Sequence, residues 1–276
     1  MRTVIVPIDF TDRSRAALNY AAELYRSSDI RFIFMHTYTT VKTTEFLISI
    51  DDIIENDIRQ KLEAEAEYLQ AKLDNDSSEF IYIIERNDII SALSNNIGKY
   101  AVDMVILGSD NGDSWNDVSY SDEGRTMNIV KNVSIPCLIV PISKHLKKPC
   151  NVMFATVLNG IENMGDVEAL VNMVNDCHAH LDIVSVAGES ASKKQLEEEL
   201  KRTVNGYFEN VDVELHTLFD TDTFAALGKF TEQHGNDLIC IMYRKHGMLE
   251  KMLKKSISKQ LFSHLDQPIL ALKHDE

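Results

Sequence analysis

Val4-Ile5-Val6-Pro7-Ile8-Asp9 and Val152-Met153-Phe154-Ala155-Thr156-Val157 decide the fold, because each short apolar run opens one half of the chain. A run of this length, bounded by turn residues, reads as a strand covered on both faces. The closing segments match as well. Val102-Asp103-Met104-Val105-Ile106-Leu107-Gly108 precedes Ile135-Pro136-Cys137-Leu138-Ile139-Val140, and Asn236-Asp237-Leu238-Ile239-Cys240-Ile241-Met242 precedes Gln267-Pro268-Ile269-Leu270-Ala271-Leu272. Each half therefore opens on a strand and ends on strand, helix, proline, strand. A repeat of this size marks a duplicated domain, and it directs attention to matching loops and to how the copies differ.

Outward from these runs, the first half predicts strands over 3–8, 31–36, 80–84, 103–107 and 137–141, and the second over 151–156, 181–186, 211–217, 237–242 and 269–273. Helix-period segments lie between them. Arg13 to Tyr25 places Ala17, Leu18, Ala21, Ala22 and Leu24 on one side, with Thr11 and Asp12 as capping candidates. A longer helix is expected over 44–73, with Glu63, Glu65 and Glu67 on a solvated face, and a shorter one after Asp88. The second half predicts helices near 161–177, 192–207, 221–234 and 256–264. Strand–helix alternation with right-handed crossovers gives a doubly wound parallel sheet in each half. The expected domains are 1–143 and 149–276, joined where Lys144, Lys147 and Lys148 interrupt the apolar pattern.

Bulk composition narrows the function. The 276 residues suit two domains, each with its own core, and 44% hydrophobic content is that of a globular chain. No stretch reaches the ~20 apolar residues of a membrane span, and the N-terminus runs directly into a strand, so a cytoplasmic protein is expected. Cys137, Cys150, Cys177 and Cys240 are scattered and read as reduced, buried thiols. The net charge of −15 is shared, with 16 basic against 23 acidic residues in 1–148 and 12 against 20 in the rest. Such a surface repels nucleic acid and anionic membrane, so neither is expected as a partner.

In an open α/β sheet, ligands collect beyond the carboxyl ends of the strands where the strand order reverses. The loops to inspect follow strands one and four of each half. They present Asp9 and Gly108-Ser109-Asp110-Asn111-Gly112 in the first, and Val157 and Tyr243-Arg244-Lys245-His246-Gly247 in the second.

Here the opening Val6-Pro7-Ile8-Asp9, the helix with Ala17-Leu18-Asn19-Tyr20-Ala21, the strand Phe32-Ile33-Phe34-Met35-His36, and the ending Asp103-Met104-Val105-Ile106-Leu107-Gly108 with Ile135 to Pro141 carry a likeness. The chain resembles the universal stress protein family, in both halves, as a tandem form. The resemblance implies two five-stranded parallel sheets of the Rossmann-like, adenine nucleotide alpha hydrolase-like kind, paired as an internal pseudo-dimer, with a further homodimer left open. The apolar terminal strands Cys137–Pro141 and Ile269–Lys273 suit such edge pairing. One branch of the family binds ATP through Gly-x2-Gly-x9-Gly-[Ser/Thr] after strand four and an aspartate after strand one. An adenine nucleotide in this chain would then lie along Ile8, Asp9, Thr37, Leu107, Gly108, Gly112 and Thr126, with Asp9 toward the base.

Both copies depart from that motif. In the first, three residues separate Gly108 from Gly112 and eleven separate Gly112 from Gly124, and Arg125 stands where Ser or Thr belongs, with Thr126 one place late. Phosphate loops rely on backbone N–H groups and positive potential. This loop instead carries Asp110, Asp113, Asp117, Asp122 and Glu123 against Arg125. It reads as an acidic, solvated insertion; a divalent-cation site is the sharper alternative, but nothing in the spacing fixes its geometry. In the second copy Val157 replaces the aspartate and Tyr243 the first glycine. Arg244, Lys255 and Ser256 there suit a phosphate or carboxylate at a helix start, against the blander reading of a basic amphipathic helix.

No Walker, Gly-x-Gly-x-x-Gly, Gly-x-Ser-x-Gly or His-Glu-x-x-His motif occurs. Cys177-His178-Ala179-His180 is the one compact cluster of soft ligands, and it lacks a second group at metal-site spacing, so no metal is expected. His36 is placed near Asp9, where a structural hydrogen bond outweighs general acid–base chemistry in the absence of a nucleophile. The expected function is a non-catalytic stress-response or signalling module with degenerate ATP motifs and no required cofactor. ATP binding with weak phosphate chemistry in the first half is the alternative.

Overall fold

The computed structural model of the chain describes residues 1–39, 47–109, 125–143, 146–156, 161, 163–187, 193–204, 206–209, 211–243 and 267–273. Ten strands form one sheet: β1 (Arg2–Pro7), β2 (Ile30–Thr37), β3 (Glu79–Glu85), β4 (Met104–Ser109), β5 (Cys137–Pro141), β6 (Asn151–Ala155), β7 (His180–Ala187), β8 (Val213–Phe219), β9 (Leu238–Tyr243) and β10 (Ile269–Lys273). Their order is β3-β2-β1-β4-β5-β10-β9-β6-β7-β8. Within each half all neighbours are parallel, whereas β5 and β10 pair antiparallel through Ile139↔Ile269, Leu138↔Leu270 and Cys137↔Ala271.

The two five-stranded parallel sheets expected from the sequence are present, and they join edge to edge into one ten-stranded sheet. The cause is the edge: β5 and β10 are apolar strands whose free N–H and C=O rows satisfy one another across the seam.

Helices cover both faces: α1 (Asp12–Tyr25), α2 (Leu47–Gln70), α3 (Ile89–Tyr100), α4 (Arg125–Asn132), α5 (Glu168–Cys177), α6 (Lys193–Val204) and α7 (Thr223–His234). Strand alternation sends Val4, Val6, Phe32, Phe34, Phe154 and Ile183 to one face, against α1, α2 and α5. Ile5, Ile33, Val105, Met153 and Ile239 go to the other face, against α3, α4 and α7. In α2 the buried stripe is Ile58, Leu62, Ala66 and Leu69, at helical spacing. Burying a side chain such as Leu62 contributes about 2 kcal/mol.

Local devices recur at matching places. Asp88 caps α3 by accepting from the amides of Ile90 and Ser91, and Asp222 caps α7 by accepting from Phe224 and Ala225. Both helices end on a left-handed residue, Ala101 and Gly235. Asp103 accepts from the Thr3 amide, and Asp237 accepts from the amides of Cys150 and Asn151.

Four local expectations change. Glu65 is buried, not solvated, and pairs with Arg15 at 2.5 Å. The helix expected over 161–177 is split: Asn163 and Asp166 form a reciprocal capping box that starts a separate 3₁₀ turn over Met164–Asp166, ahead of α5. Thr11 occupies the N-cap of α1, but its hydroxyl does not cap the helix. All four cysteines are free; Cys137 and Cys240 are buried, Cys177 is half-buried and Cys150 is exposed. Burial pushes the Cys137 thiol up to about 12 and the Cys177 thiol up to about 11, so neither is an activated nucleophile. The helix expected near 256–264 lies outside the described residues.

Candidate functional site

The strand order reverses between β1 and β4, which places the carboxyl ends of β1, β2 and β4 side by side. At the end of β1 the Ile8 side chain is buried and its amide donates to the Met35 carbonyl at 2.8 Å. Asp9 is exposed. Its Oδ1 accepts from the Thr11 amide at 3.1 Å and the Thr11 hydroxyl at 2.5 Å, and its Oδ2 lies 3.4 Å from the Arg13 guanidinium. Partial burial pushes the Asp9 carboxyl up, but the hydrogen bonds from Thr11 and Ser14 and the Arg13 charge outweigh it and hold the group below its ordinary range.

Between Asp9 and Thr11, Phe10 adopts φ 60°, a left-handed conformation that costs a non-glycine residue about 1–3 kcal/mol. Its ring packs on His36, with centroids 4.9 Å apart. His36 Nδ1 donates to the Ile8 carbonyl at 2.6 Å, a backbone bond one residue before Asp9. The chain thus turns sharply out of β1 and is pinned from β2.

Gly108 in β4 is required by packing. A Cβ there would sit 2.0 Å from the Arg13 carbonyl oxygen, so the first turn of α1 rests directly on the β4 backbone. Arg13 therefore links the two residues that most resemble a nucleotide signature, Asp9 through its side chain and Gly108 through its carbonyl. Leu107 points to the opposite face, buried in the core beside α4, and only its backbone faces the crevice. The Thr126 hydroxyl, at the head of α4, donates to the Gly108 carbonyl at 3.1 Å. Thr37 closes β2, half-buried and paired with Glu85. The structure accordingly gathers Ile8, Asp9, Thr37, Gly108 and Thr126 at one end of the sheet. Gly112 and the acidic loop 110–124 lie outside the described residues.

In the second half the register corrects one correspondence. Val105 pairs with Cys137 after Pro136, and Ile239 pairs with Ile269 after Pro268, so Met242 matches Gly108 and Tyr243 matches Ser109. Met242 is buried. Val157, Arg244, Lys255 and Ser256 lie outside the described residues.

A second constellation was missed by the sequence reading. Asp182 on β7 is buried; its Oδ1 accepts from His216 Nε2 at 2.8 Å and its Oδ2 from Asn236 Nδ2 at 2.7 Å. His180 lies on the same face, its Nδ1 donating to Asp212 at 2.8 Å and its Nε2 3.4 Å from Asp182 Oδ1. One ligand-capable atom from each of His180, Asp182 and Glu214 falls within 4.8 Å of the others. The available signal was alternation: His180 and Asp182, then Glu214 and His216, are polar pairs at strand spacing on a face that the first half keeps apolar.

The universal stress protein family model matches residues 1–141. No curated protein matches the chain. Among solved structures, the fold is similar to that of a universal stress protein from Archaeoglobus fulgidus DSM 4304, with a TM-score of 0.72 at 14% identity over 99% of this chain and 97% of that one. A functionally unknown protein from Pseudomonas aeruginosa PAO1 gives 0.53 at 11% identity, over 100% and 93%. The cytoplasmic domain of a prokaryotic cation chloride cotransporter gives 0.56 at 10% identity, over 99% and 95%. Among the described residues no helix is long and apolar enough to cross a membrane.

Proposed function

Because the chain belongs to the universal stress protein family, we propose that it is a non-catalytic, cytoplasmic stress-response or signalling module whose ATP site has degenerated. In this reading residues 1–143 and 149–276 are its two domains, held as an internal pseudo-dimer through β5 and β10. One observation carries the reading: both residues that resemble a nucleotide signature are already engaged by the start of α1. Asp9 is bonded by Thr11 and faces Arg13, and Gly108 admits the Arg13 carbonyl. The fold alone accounts for them. The second half offers a buried Met242 where the first has Gly108.

A second reading rests on Thr126, whose hydroxyl sits at the head of α4 on the Gly108 carbonyl. A helix N-terminus with a hydroxyl beside it suits a phosphate group, and weak nucleotide-dependent phosphate chemistry would centre there. Calorimetric titration of the full chain with ATP, with and without magnesium, separates the two. The expected result is no heat at millimolar ATP. Micromolar binding that Asp9→Ala weakens would overturn the degenerate site and place the nucleotide in the first half.

A further inference from the structure

The cluster on β7 and β8 stands apart from the crevice just described. Four strands (β5, β10, β9 and β6) separate β7 from β4, and the cluster lies at the amino ends of β7 and β8, away from the second half's own carboxyl-end loops. The fold does not require polar groups there. By strand register, Asp182 matches Ile33, Glu214 matches Ile81, His216 matches Ile83 and Asn236 matches Val102. The first half fills that space with hydrocarbon. Burying a carboxylate in its place costs several kcal/mol unless it is paired.

The hydrogen bonds fix what faces what. A carboxylate only accepts, so His180 donates through Nδ1 to Asp212. In the neutral imidazole that leaves a lone pair on Nε2, aimed at Asp182 Oδ1 3.4 Å away with Glu214 close by. The carboxylates of Asp182 and Asp212 flank the ring, so positive charge is favoured there, either as a second proton on Nε2 or as a metal ion that takes its place. Asn236 adds a buried Oδ1 with no partner among the described residues, on the side chain that also holds Asp182.

The separation of His180 from Asp182 suits a tetrahedral ion, and Glu214 lies within reach of the same point. Bonds of about 2.1 Å at a tetrahedral angle put neighbouring ligand atoms ~3.4 Å apart, close to the His180–Asp182 separation of 3.4 Å. The outer contacts follow the pattern of metal centres, in which the ligating histidine gives its other N–H to a carboxylate and the ligating carboxylate is itself hydrogen-bonded. Asp212 plays the first part, and His216 and Asn236 the second.

We propose that His180, Asp182 and Glu214 form a binding site for a divalent transition-metal ion of the zinc class. One imidazole and two carboxylates favour that class over calcium or magnesium, which take oxygen ligands alone. Glu214 is exposed at the edge strand, so an ion enters from solvent and keeps water in its remaining position.

The test is titration of the untagged full chain with zinc alone by calorimetry, and with cobalt(II) followed by its visible absorption. One equivalent binding at micromolar strength, with a tetrahedral cobalt band, is expected. Glu214→Gln and Asp212→Asn alter exposed groups and leave the fold intact; each should weaken binding roughly tenfold to a hundredfold. His178→Gln, beside Cys177 but outside the cluster, should leave it unchanged. No stoichiometric binding at millimolar zinc would overturn the proposal and leave a doubly protonated His180 paired with Asp182 and Asp212. Binding unaffected by Glu214→Gln and Asp212→Asn, or abolished by His178→Gln, would overturn it equally.

Discussion

The two halves share a backbone and differ in what they place against it. Strand order and register recur, and the capping aspartates Asp88 and Asp222 and the left-handed residues Ala101 and Gly235 recur at one shared offset. Yet one face holds Ile33, Ile81, Ile83 and Val102 in the first half and Asp182, Glu214, His216 and Asn236 in the second, and Gly108 gives way to Met242. Backbone requirements are therefore fixed by the sheet and the helix ends. Side chains facing a covering helix are exchangeable, provided that space is filled and polar atoms are met.

The largest effect should come from the one position where a backbone requirement is peculiar to one half. Gly108→Ala sets a Cβ against the Arg13 carbonyl, and main chain cannot rotate away. A loss of about 3 kcal/mol or more is expected in urea unfolding of the full chain. At the matching place Met242→Leu conserves volume and should cost below about 1.5 kcal/mol. Equal losses at the two positions would mean that α1 does not rest on β4 as described.

Next comes the exchangeable face. Asp182→Ile alone strands the His216 and Asn236 donors and should destabilise by about 2 kcal/mol. Transplanting the whole first-half set (Asp182→Ile, Glu214→Ile, His216→Ile, Asn236→Val) removes donors and acceptor together and should be near neutral or stabilising. A quadruple variant less stable than the single one would show that the two halves' cores are not interchangeable.

The same comparison explains what was legible in the sequence. Apolar runs such as Val4 to Ile8 and Val152 to Phe154 marked the strands to within a residue or two, because a strand buried on both faces must be continuously hydrophobic. The pairing of β5 with β10 was legible as two apolar terminal strands, and it joins the two halves into one sheet. Asp9, Gly108 and Thr126 were located by position, but their partners were not. That Gly108 serves Arg13 depends on how closely α1 approaches β4, a distance that no spacing encodes. Glu65 was read as solvated along with its neighbours Glu63 and Glu67, which are exposed; Glu65 itself is buried and pairs with Arg15 of α1, a contact between helices that no spacing encodes. The Asp182 cluster escaped because its members are far apart in sequence (Asp182 and Asn236 are 54 residues apart) and meet only through register.

A smaller effect tests the repeated helix ends. Ala101 adopts φ 48° and Gly235 φ 63°, the left-handed region that disfavours a Cβ. Gly235 has open space around it, so Gly235→Ala adds conformational strain alone and should cost about 1 kcal/mol. Ala101→Gly should relieve that strain in the first half and raise its stability slightly. Opposite signs in thermal unfolding would mark the two ends as one device filled by different residues; the same sign would break the equivalence.

The smallest effect concerns Asp9, for which the second half has Val157 in the matching place. The Asp9 carboxyl is held below its ordinary value of 3.8 in the folded chain, so the folded state binds its proton less readily than the unfolded state. The stabilisation is then fully present above the unfolded value and is lost as pH falls through the folded one. Asp9 is 41% exposed and water screens its attraction to Arg13, so Asp9→Asn should cost below about 1 kcal/mol at neutral pH. That difference in melting temperature should close as the pH drops below about 4 and both proteins carry a neutral side chain. A gap that persists in acid would assign the role of Asp9 to the geometry of its bonds from Thr11, which asparagine would then reproduce poorly. A gap that closes would make charge the means by which this copy, and not its partner, steadies the start of its first helix.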